Sequence, residues 1–215
     1  MNKLIGLLIA ATVALTGCAS AQTAQKANMH IYIVHGYGAS PSDHWFPWLK
    51  KEMEKMGATV SIVNLPSPND PQPKEWQQAL KAQVSPLDRN TYFVTHSLGG
   101  ITLLTFLEGT PEAAEIGGYI LVSGFNDSLP ILPQLNSFKK PNIAYDKLSR
   151  MTKNRVVISA IDDSIVPHAL SKALADSLDA KFIPVERGGH FLGSDGFTEF
   201  PLVLEELERV ITSGQ

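Results

Sequence analysis

Three polar residues stand in an order that suits nucleophilic attack on an acyl carbon: Ser97, Asp163 and His190. A serine hydroxyl is a weak nucleophile until an adjacent base takes its proton, and that base is itself oriented by a third group. Histidine commonly serves as the base and a carboxylate as the orienting group. The order of the three residues therefore raises the hypothesis of a Ser-Asp-His triad.

The serine lies in the stretch "THSLGG", residues 95–100, which is one residue short of the pattern Gly-x-Ser-x-Gly. That pattern marks a sharp strand-to-helix turn that exposes the serine. The run "TYFVT" at 91–95 predicts a strand that enters Ser97 directly, and 101–107 predicts a buried helix. Ser-x-Gly-Gly also occurs in ordinary loops, so the motif needs this context to be read as a nucleophile turn.

The residues two before and two after such a serine crowd their neighbours and must be small. Gly99 and Gly100 satisfy this requirement after the serine, but Thr95 stands where glycine is usual. We therefore expect the strand beside Thr95 to be small there, leaving room for one hydroxyl and one methyl group.

Two histidines follow the serine, His168 and His190. His190 lies in "RGGHFL", a glycine-rich segment directly after a predicted strand, from which an imidazole can reach the carboxyl edge of a sheet. His168 follows Pro167 at the start of a predicted helix, and we expect it at the surface. His190 is the predicted base.

The acid is expected after the fifth predicted strand, where "SAIDDSIVP" offers Asp162 and Asp163. Adjacent side chains point in different directions, so one of them is favoured. The spacing Asp-x-x-Val-Pro favours Asp163, and the alternative use of Asp162 is as a turn residue or a partner behind the acid.

An oxyanion hole in this arrangement combines the N–H of the residue after the nucleophile with an N–H from the loop after the first strand. The first donor is therefore Leu98. The loop "HGYG" offers Tyr37 as the second donor, with Gly38 as the alternative. We interpret His35 and His96 as histidines that shape loops or make structural hydrogen bonds.

Other functional patterns are weak. The aromatic cluster at 45–48 fits a core and pocket wall, or alternatively the lining of an acyl or leaving-group site. Asp43 and His44 are adjacent, but no further metal ligand is suggested. Neither a dinucleotide-binding nor a phosphate-binding glycine loop occurs. The inferred serine chemistry itself needs no cofactor, and no metal site is expected.

Strand-like and helix-like segments alternate along the chain, which predicts a mostly parallel sheet of about six strands covered by helices on both faces. The sixth strand is followed by a last helix at 201–212. The longest connection, 125–153, contains three prolines and predicts an irregular excursion over the carboxyl edge of the sheet, with a small lid or none. Ligands bind at that edge in folds of this class.

The composition fits one globular domain of ordinary size: 215 residues, 44% of them hydrophobic, with a net charge of −3. No cluster of lysine and arginine resembles a nucleic-acid surface, so we expect no nucleic-acid partner. Protein partners are left open.

The N-terminus predicts export. Residues 1–17 combine a positive start with a short apolar run, which suits a signal peptide rather than a transmembrane helix. The run ends at "LTGC", which resembles a bacterial lipobox with Cys18, the one cysteine of the sequence, as the lipidated residue. The alternative is a plain secretory signal with an incidental cysteine.

Residues 18–28 are small and polar and predict a flexible tether to a domain at 29–215. Ala19 after the cysteine favours sorting to the outer membrane if the cell is Gram-negative. We therefore expect a lipid-anchored protein of the bacterial cell envelope, on the periplasmic face.

Taken together, several stretches resemble the small serine hydrolases of the YdeN and retinoblastoma-binding protein 9 type, in the α/β-hydrolase superfamily. They are residues 30–57, which include "HGYG", and the stretches "THSLGG", "GGYILVSGF", "DDSIVP" and "GGHFL". The resemblance covers roughly residues 29–212. It implies a three-layer α/β-hydrolase fold, a nucleophile at Ser97, an acid at Asp163 and a base at His190.

The function expected from this set is hydrolysis of small acyl esters through an acyl-enzyme. Two alternatives remain at this point: amidase, peptidase or thioesterase activity on the same triad, and a catalytically silent binding module tethered to the envelope. Thr95 is a mild departure from the family, in which alanine or glycine occurs at that position. The lipobox is additional to the soluble pattern of the family.

Overall fold

A computed structural model describes residues 29–213, and these form one parallel sheet with helices on both sides. The six strands are β1 His30–Val34, β2 Thr59–Val63, β3 Thr91–His96, β4 Gly118–Val122, β5 Arg155–Ala160 and β6 Lys181–Val185. The order across the sheet is β2-β1-β3-β4-β5-β6, and every neighbouring pair is parallel. The prediction of a parallel sheet of about six strands is confirmed.

The central strands are buried along their whole length, whereas the edge strands are not. Every residue of β3, β4 and β5 is buried, and β6 at one edge has none that is fully buried. Strands covered on both faces read as continuous apolar runs rather than alternating ones. This burial explains why "YILV" and "VVIS" are recognisable as strands from the sequence alone.

Six α-helices form the two outer layers. They are α1 Phe46–Lys55, α2 Pro73–Gln83, α3 Leu98–Glu108, α4 Tyr145–Met151, α5 His168–Ser177 and α6 Pro201–Ser213. The apolar faces of α1 and α6 pack on one side of the sheet, and those of α2, α3, α4 and α5 pack on the other. The result is the three-layer α/β arrangement.

The long connection after β4 is more regular than predicted. It contains a 3-10 helix, Pro133–Phe138, and the short helix α4. Leu135 and Phe138 are buried in the core on the α3 side of the sheet. Asn126 links the start of the connection to its middle, donating from Nδ2 to the carbonyl of Lys140 and accepting from that residue's N–H. The prediction of an irregular excursion is therefore wrong only for these two short helices, which leave little periodicity among so many prolines.

The predicted signal peptide at 1–17, the tether at 18–28 and Cys18 all lie outside the described residues, as do residues 214–215. Within 29–213, no helix has both the length and the apolar character needed to cross a bilayer.

Candidate active site

The candidate site lies at the carboxyl edge of the sheet, where the strand order reverses. β1 lies between β2 and β3, so the loops after β1 and β3 leave the sheet side by side. Ligand sites of open parallel sheets lie at such a switch point. The loops after β5 and β6 reach the same edge because all six strands run in one direction.

Ser97 forms a sharp turn between β3 and α3. Its backbone has φ 53° and ψ −123°, a conformation that residues other than glycine rarely adopt and that typically costs about 1–3 kcal/mol. Its N–H donates to the carbonyl oxygen of Val122 at 2.8 Å, and Leu98 begins the helix. The strand, strained turn and helix expected of a nucleophile turn are therefore present.

The glycine two residues after the serine is required by packing. A Cβ atom on Gly99 would lie 2.4 Å from the carbonyl oxygen of Val34 and 2.7 Å from that of His35. Both contacts are with backbone, which cannot rotate away. Gly36 is similarly close to the turn, since a Cβ there would lie 3.0 Å from the Cβ of Ser97. The requirement for a small residue at Gly99 is thus confirmed.

Thr95 is accommodated differently from the prediction. Its partners in the neighbouring strands are Val34 and Leu121, and neither is small. The Thr95 hydroxyl instead faces helix α3, where a Cβ on Gly100 would lie at an ordinary contact distance of 3.5 Å from Thr95 Oγ1. The Thr95 hydroxyl is buried and has no hydrogen-bond partner in the part of the chain that the structure describes.

Asp163 is the carboxylate that contacts His190. Its Oδ2 accepts a hydrogen bond from His190 Nδ1 at 2.8 Å, and its Oδ1 accepts from the N–H groups of Ile165 and Val166, each at 2.9 Å. Because a carboxylate accepts, the proton lies on Nδ1 and Nε2 is left as the basic nitrogen. This is the tautomer that a general base needs.

A second serine supports the same carboxylate. Ser123 is fully buried just after β4, and its Oγ donates to Asp163 Oδ2 at 2.9 Å. Its backbone φ of 48° is again in the left-handed region. Sequence reasoning did not identify Ser123. The available signal was its place in "VSGF", where a polar residue directly follows a buried strand at the sheet edge.

Asp162 points away from the imidazole and holds the loop that carries it. Its Oδ1 accepts from the N–H of Gly188 at 2.8 Å and from that of Gly189 at 2.9 Å. These two backbone hydrogen bonds lower the pKa of the Asp162 carboxyl. Of the two adjacent aspartates, Asp163 thus contacts the His190 ring and Asp162 contacts the backbone of the loop before it.

Two of the backbone N–H groups predicted to hold an oxyanion have no acceptor among the residues that the structure describes. Neither Leu98 N–H nor Tyr37 N–H donates to an acceptor within residues 29–213. The Gly38 N–H, the alternative donor, is occupied by the carbonyl oxygen of Pro68 at 2.8 Å. As the first residue of α3, Leu98 also contributes the positive end of the helix dipole.

His35 holds the loop that bears Tyr37. Its Nδ1–H donates to the carbonyl of Gly36 at 2.9 Å, and its Nε2 accepts from the N–H of Leu65 at 3.3 Å. Because Nε2 accepts a hydrogen bond the ring is neutral, and burial lowers the pKa of His35 in the same sense. The Trp76 ring meets it edge-on at 5.9 Å between centroids and in turn packs on Phe138 at 5.3 Å.

The aromatic cluster near α1 is core rather than an open pocket. Trp45 and Phe46 are fully buried, and both rings lie against His96 on the α1 side of the sheet. Trp48 is only partly buried.

His168, the other histidine that follows Ser97 in the sequence, bonds Ser159 at 3.2 Å and does not contact Asp163.

The three predicted site residues are close to the surface but largely covered: Ser97 is 7% exposed, Asp163 7% and His190 6%. The hydrogen bonds among the described residues do not include one between Ser97 Oγ and the His190 ring. Such bonds often tighten only when substrate binds.

Within 29–213, no group of three or more His, Cys, Asp or Glu side chains is arranged to hold a metal ion.

Comparison with known proteins agrees with this arrangement. A family model described as "Serine hydrolase" matches residues 31–209. The chain belongs to the serine hydrolase family. This serine hydrolase is 44% identical to YdeN of Bacillus subtilis (strain 168) over 177 residues, covering 82% of this chain and 93% of YdeN. It is 26% identical to the serine hydrolase RBBP9 of Rattus norvegicus over 182 residues, covering 83% of this chain and 90% of the rat protein.

Solved structures place the serine hydrolase in the same fold. The crystal structure of the Bacillus subtilis ydeN gene product matches with a TM-score of 0.84 at 43% identity, covering 86% of this chain and all of that one. The mouse alpha/beta hydrolase domain-containing protein 10 matches with a TM-score of 0.64 at 13% identity, covering 87% and 91% of the two chains. The resemblance and the α/β-hydrolase fold inferred from the sequence are therefore confirmed.

Proposed function

We propose that this serine hydrolase is a carboxylesterase of small acyl esters, with Ser97 as nucleophile, His190 as base and Asp163 as the orienting acid. The observation that carries the proposal is the 2.8 Å hydrogen bond from His190 Nδ1 to Asp163 Oδ2, at the sheet edge that also bears the strained Ser97 turn. It fixes the imidazole in the tautomer whose Nε2 can take a proton.

In the first half of the reaction, Ser97 Oγ attacks the acyl carbon while its proton passes to His190 Nε2. The carbonyl oxygen of the ester becomes an oxyanion, held by the N–H groups of Leu98 and Tyr37. The tetrahedral intermediate collapses, the bond to the alkoxy oxygen breaks, and His190 returns the proton to that oxygen. The products of this half are the acyl-serine and a free alcohol.

In the second half, a water molecule replaces the alcohol. His190 Nε2 takes a proton from the water, whose oxygen attacks the acyl-serine carbon, and the same two N–H groups hold the new oxyanion. When the intermediate collapses, His190 gives its proton to Ser97 Oγ. The carboxylic acid leaves, and the enzyme returns to its starting protonation.

The preference for small acyl groups rests on how little open surface surrounds the nucleophile. Ser97 is 7% exposed, and the long connection after β4 is tied into the core through Phe138, which packs on Trp76. Partly buried apolar side chains follow β1 and β5 at this edge, namely Tyr37 and Ile165. They are suited to contact a short acyl chain.

A series of p-nitrophenyl esters of increasing acyl length tests the proposal. We expect turnover by the wild type to be highest with about two to four carbons and to fall steeply beyond, since each methylene that a pocket cannot accept costs roughly ten-fold or more. Ser97→Ala should lose this turnover. Anilides and thioesters of the same acids, run in parallel, distinguish amidase and thioesterase activity from esterase activity.

Other outcomes would reject the proposal. Faster turnover of a thioester or anilide than of the matched ester, after correction for the uncatalysed rate, would reassign the substrate class. A folded wild type that turns over none of the three would favour a catalytically silent binding module. A preference for chains beyond about ten carbons would contradict the small pocket.

We further propose that the enzyme is a lipid-anchored protein of the bacterial cell envelope, held through Cys18 on the periplasmic face of the outer membrane. The support is the sequence of 1–28, with its apolar run, "LTGC" and polar tether. Cys18→Ala should move the full-length chain out of the membrane fraction and abolish incorporation of labelled palmitate. Unchanged fractionation and labelling in Cys18→Ala would contradict the anchor.

A further inference from the structure

The backbone of His190 is held as firmly as its ring. Its N–H donates to Asp195 Oδ2 at 3.0 Å, and its carbonyl oxygen accepts from His96 Nε2–H at 2.8 Å. The ring Nδ1 is bonded to Asp163. Every hydrogen-bonding group of His190 except Nε2 is thus committed to a side chain from another position in the fold.

The neighbouring residues of the loop are fixed in the same way. Asp195 Oδ2 also accepts the N–H of Leu192 at 3.0 Å, and His44 Nδ1 accepts the N–H of Gly193 at 2.9 Å. Asp162 holds the N–H groups of residues 188 and 189 from the other end of the loop. A glycine-rich loop would otherwise be flexible, so these bonds replace the rigidity that its sequence lacks.

Among these contacts, the one from His96 joins the two halves of the site. His96 is the last residue of β3 and directly precedes Ser97. Its ring therefore connects the backbone of the nucleophile turn to the backbone of the base, with ring centroids of His96 and His190 4.8 Å apart. No other described side chain bonded to His190 comes from a residue next to Ser97.

The surroundings of His96 fix its ring in one orientation. It is buried against Trp45 and Phe46, with ring centroids at 6.3 Å and 5.9 Å. Because a carbonyl oxygen only accepts, the Nε2 atom carries a proton. Burial lowers the pKa of His96 well below its usual value, which favours the neutral ring with no proton on Nδ1. Nδ1 is buried and has no hydrogen-bond partner in the described chain. The bond from Nε2–H to His190 is therefore the one polar contact in that part of the chain that accounts for a histidine at this buried position.

We propose that His96 is a positioning residue that sets the place of His190 relative to Ser97 through this single hydrogen bond. The proposal rests on the proposed roles of Ser97 and His190. A displacement of about 1 Å at a reacting group can cost roughly a hundred-fold in rate, so losing the bond is expected to act on turnover rather than on binding. His96 itself touches no reacting atom in the proposed reaction.

Two substitutions separate the hydrogen bond from the bulk of the ring. His96→Phe keeps an aromatic ring but removes the donor, whereas His96→Gln can present an amide N–H near the position of Nε2. Thr95→Val serves as the matched control. It lies one residue earlier in the same strand, is equally buried, and loses a hydroxyl that bonds nothing within residues 29–213. All variants are assayed well below their thermal midpoints, with folding verified by circular dichroism.

The readouts are kcat and KM for a p-nitrophenyl ester and the second-order rate of labelling by a fluorophosphonate. For His96→Phe we expect kcat and the labelling rate to fall roughly ten- to a hundred-fold with KM within about two-fold. His96→Gln should recover most of this loss, and Thr95→Val should match the wild type. Wild-type rates in a folded His96→Phe, or an equal loss in His96→Gln, would overturn the proposal.

A double-mutant comparison tests whether His96 acts through His190. In a His190→Ala background, the residual labelling rate should not change further when His96→Phe is added. A further fall of ten-fold or so would show that His96 acts on Ser97 by another route and would overturn the proposal. Failure of the proposed function has a different signature, because then neither the wild type nor any variant shows labelling that depends on Ser97.

Discussion

The carboxylates of Asp162 and Asp163, adjacent in the chain, act on the same histidine from two directions. Asp163 Oδ2 bonds the His190 ring at 2.8 Å, and Asp162 Oδ1 bonds the backbone of the two glycines that precede His190. One aspartate therefore sets the tautomer of the proposed base, and the other sets the path of the loop that carries it.

Substitution of the two aspartates should separate these roles. Asp163→Asn removes the acceptor that fixes Nδ1–H, and we expect kcat to fall by about 10⁴-fold, as for an acid lost from a triad. Asp162→Ala frees only backbone groups near the surface, so a fall of about ten-fold is expected, largely restored in Asp162→Asn, which keeps an acceptor oxygen. Steady-state kinetics on one ester would check this, and an equal loss in Asp162→Ala and Asp163→Asn would contradict it.

The two glycines after the nucleophile should tolerate alanine very differently. A Cβ on Gly99 would lie 2.4 Å from a backbone oxygen, whereas one on Gly100 would have its nearest atoms at 3.4 and 3.5 Å. We expect Gly99→Ala to lower the free energy of unfolding by about 1–3 kcal/mol or more through overpacking. Gly100→Ala should be neutral or stabilising by up to about 1 kcal/mol, because alanine is the better helix former.

Chemical denaturation of these two variants measures the difference directly. They share one helical turn, so each is the control for the other. Equal stabilities would show that the close approach of α3 to β1 is not as tight as described.

Thr95→Val should not destabilise the protein. The Thr95 hydroxyl is buried without a hydrogen-bond partner among the described residues, and an unpaired buried polar group typically costs about 1–3 kcal/mol. Valine has nearly the same shape and no polar atom to desolvate. We expect a free energy of unfolding equal to or up to about 1 kcal/mol above that of the wild type. A loss of more than that amount would indicate a hydrogen bond to the hydroxyl.

Acid should destabilise the fold through its buried histidines. Burial lowers the pKa of His35 and, more strongly, that of His96, so both are neutral in the native state. Once the pH falls below about 6.5, the unfolded chain binds protons that the native state does not, so the free energy of unfolding falls. The stability that each neutral histidine contributes is thus present above that pH and lost on acidification.

Denaturation curves between about pH 5 and pH 7.5 would measure this slope. In His96→Gln one such group is removed, and the slope should decrease by up to about 1.4 kcal/mol per pH unit. An unchanged slope would mean that His96 titrates alike in the folded and unfolded states.

Much of this architecture could be predicted from local pattern, because buried parallel strands such as 118–122 are continuous apolar runs bounded by glycine and polar residues. The order of Ser97, Asp163 and His190 likewise follows the order of the strands that carry them. The contacts that complete the site could not be predicted. Ser123 contacts Asp163 across 40 residues and His96 contacts His190 across 94, and such pairs leave no spacing in the sequence.

The prediction that small residues lie beside Thr95 in the neighbouring strand was wrong for a related reason. Strand register gives Thr95 the neighbours Val34 and Leu121, while its hydroxyl faces Gly100, five residues later on helix α3. A sequence shows that a bulky residue needs space, but the direction of its side chain decides which element supplies that space.

The most direct test of the central claim is mass spectrometry of the protein after treatment with a fluorophosphonate. The wild type should carry a single adduct on the peptide that contains Ser97, while Ser97→Ala and heat-denatured protein should carry none. His190→Ala should be labelled far more slowly, by about 10²–10⁴-fold, the usual contribution of a general base. Equal labelling of Ser97→Ala, or an adduct on another serine such as Ser123, would contradict the assignment of Ser97 as the nucleophile.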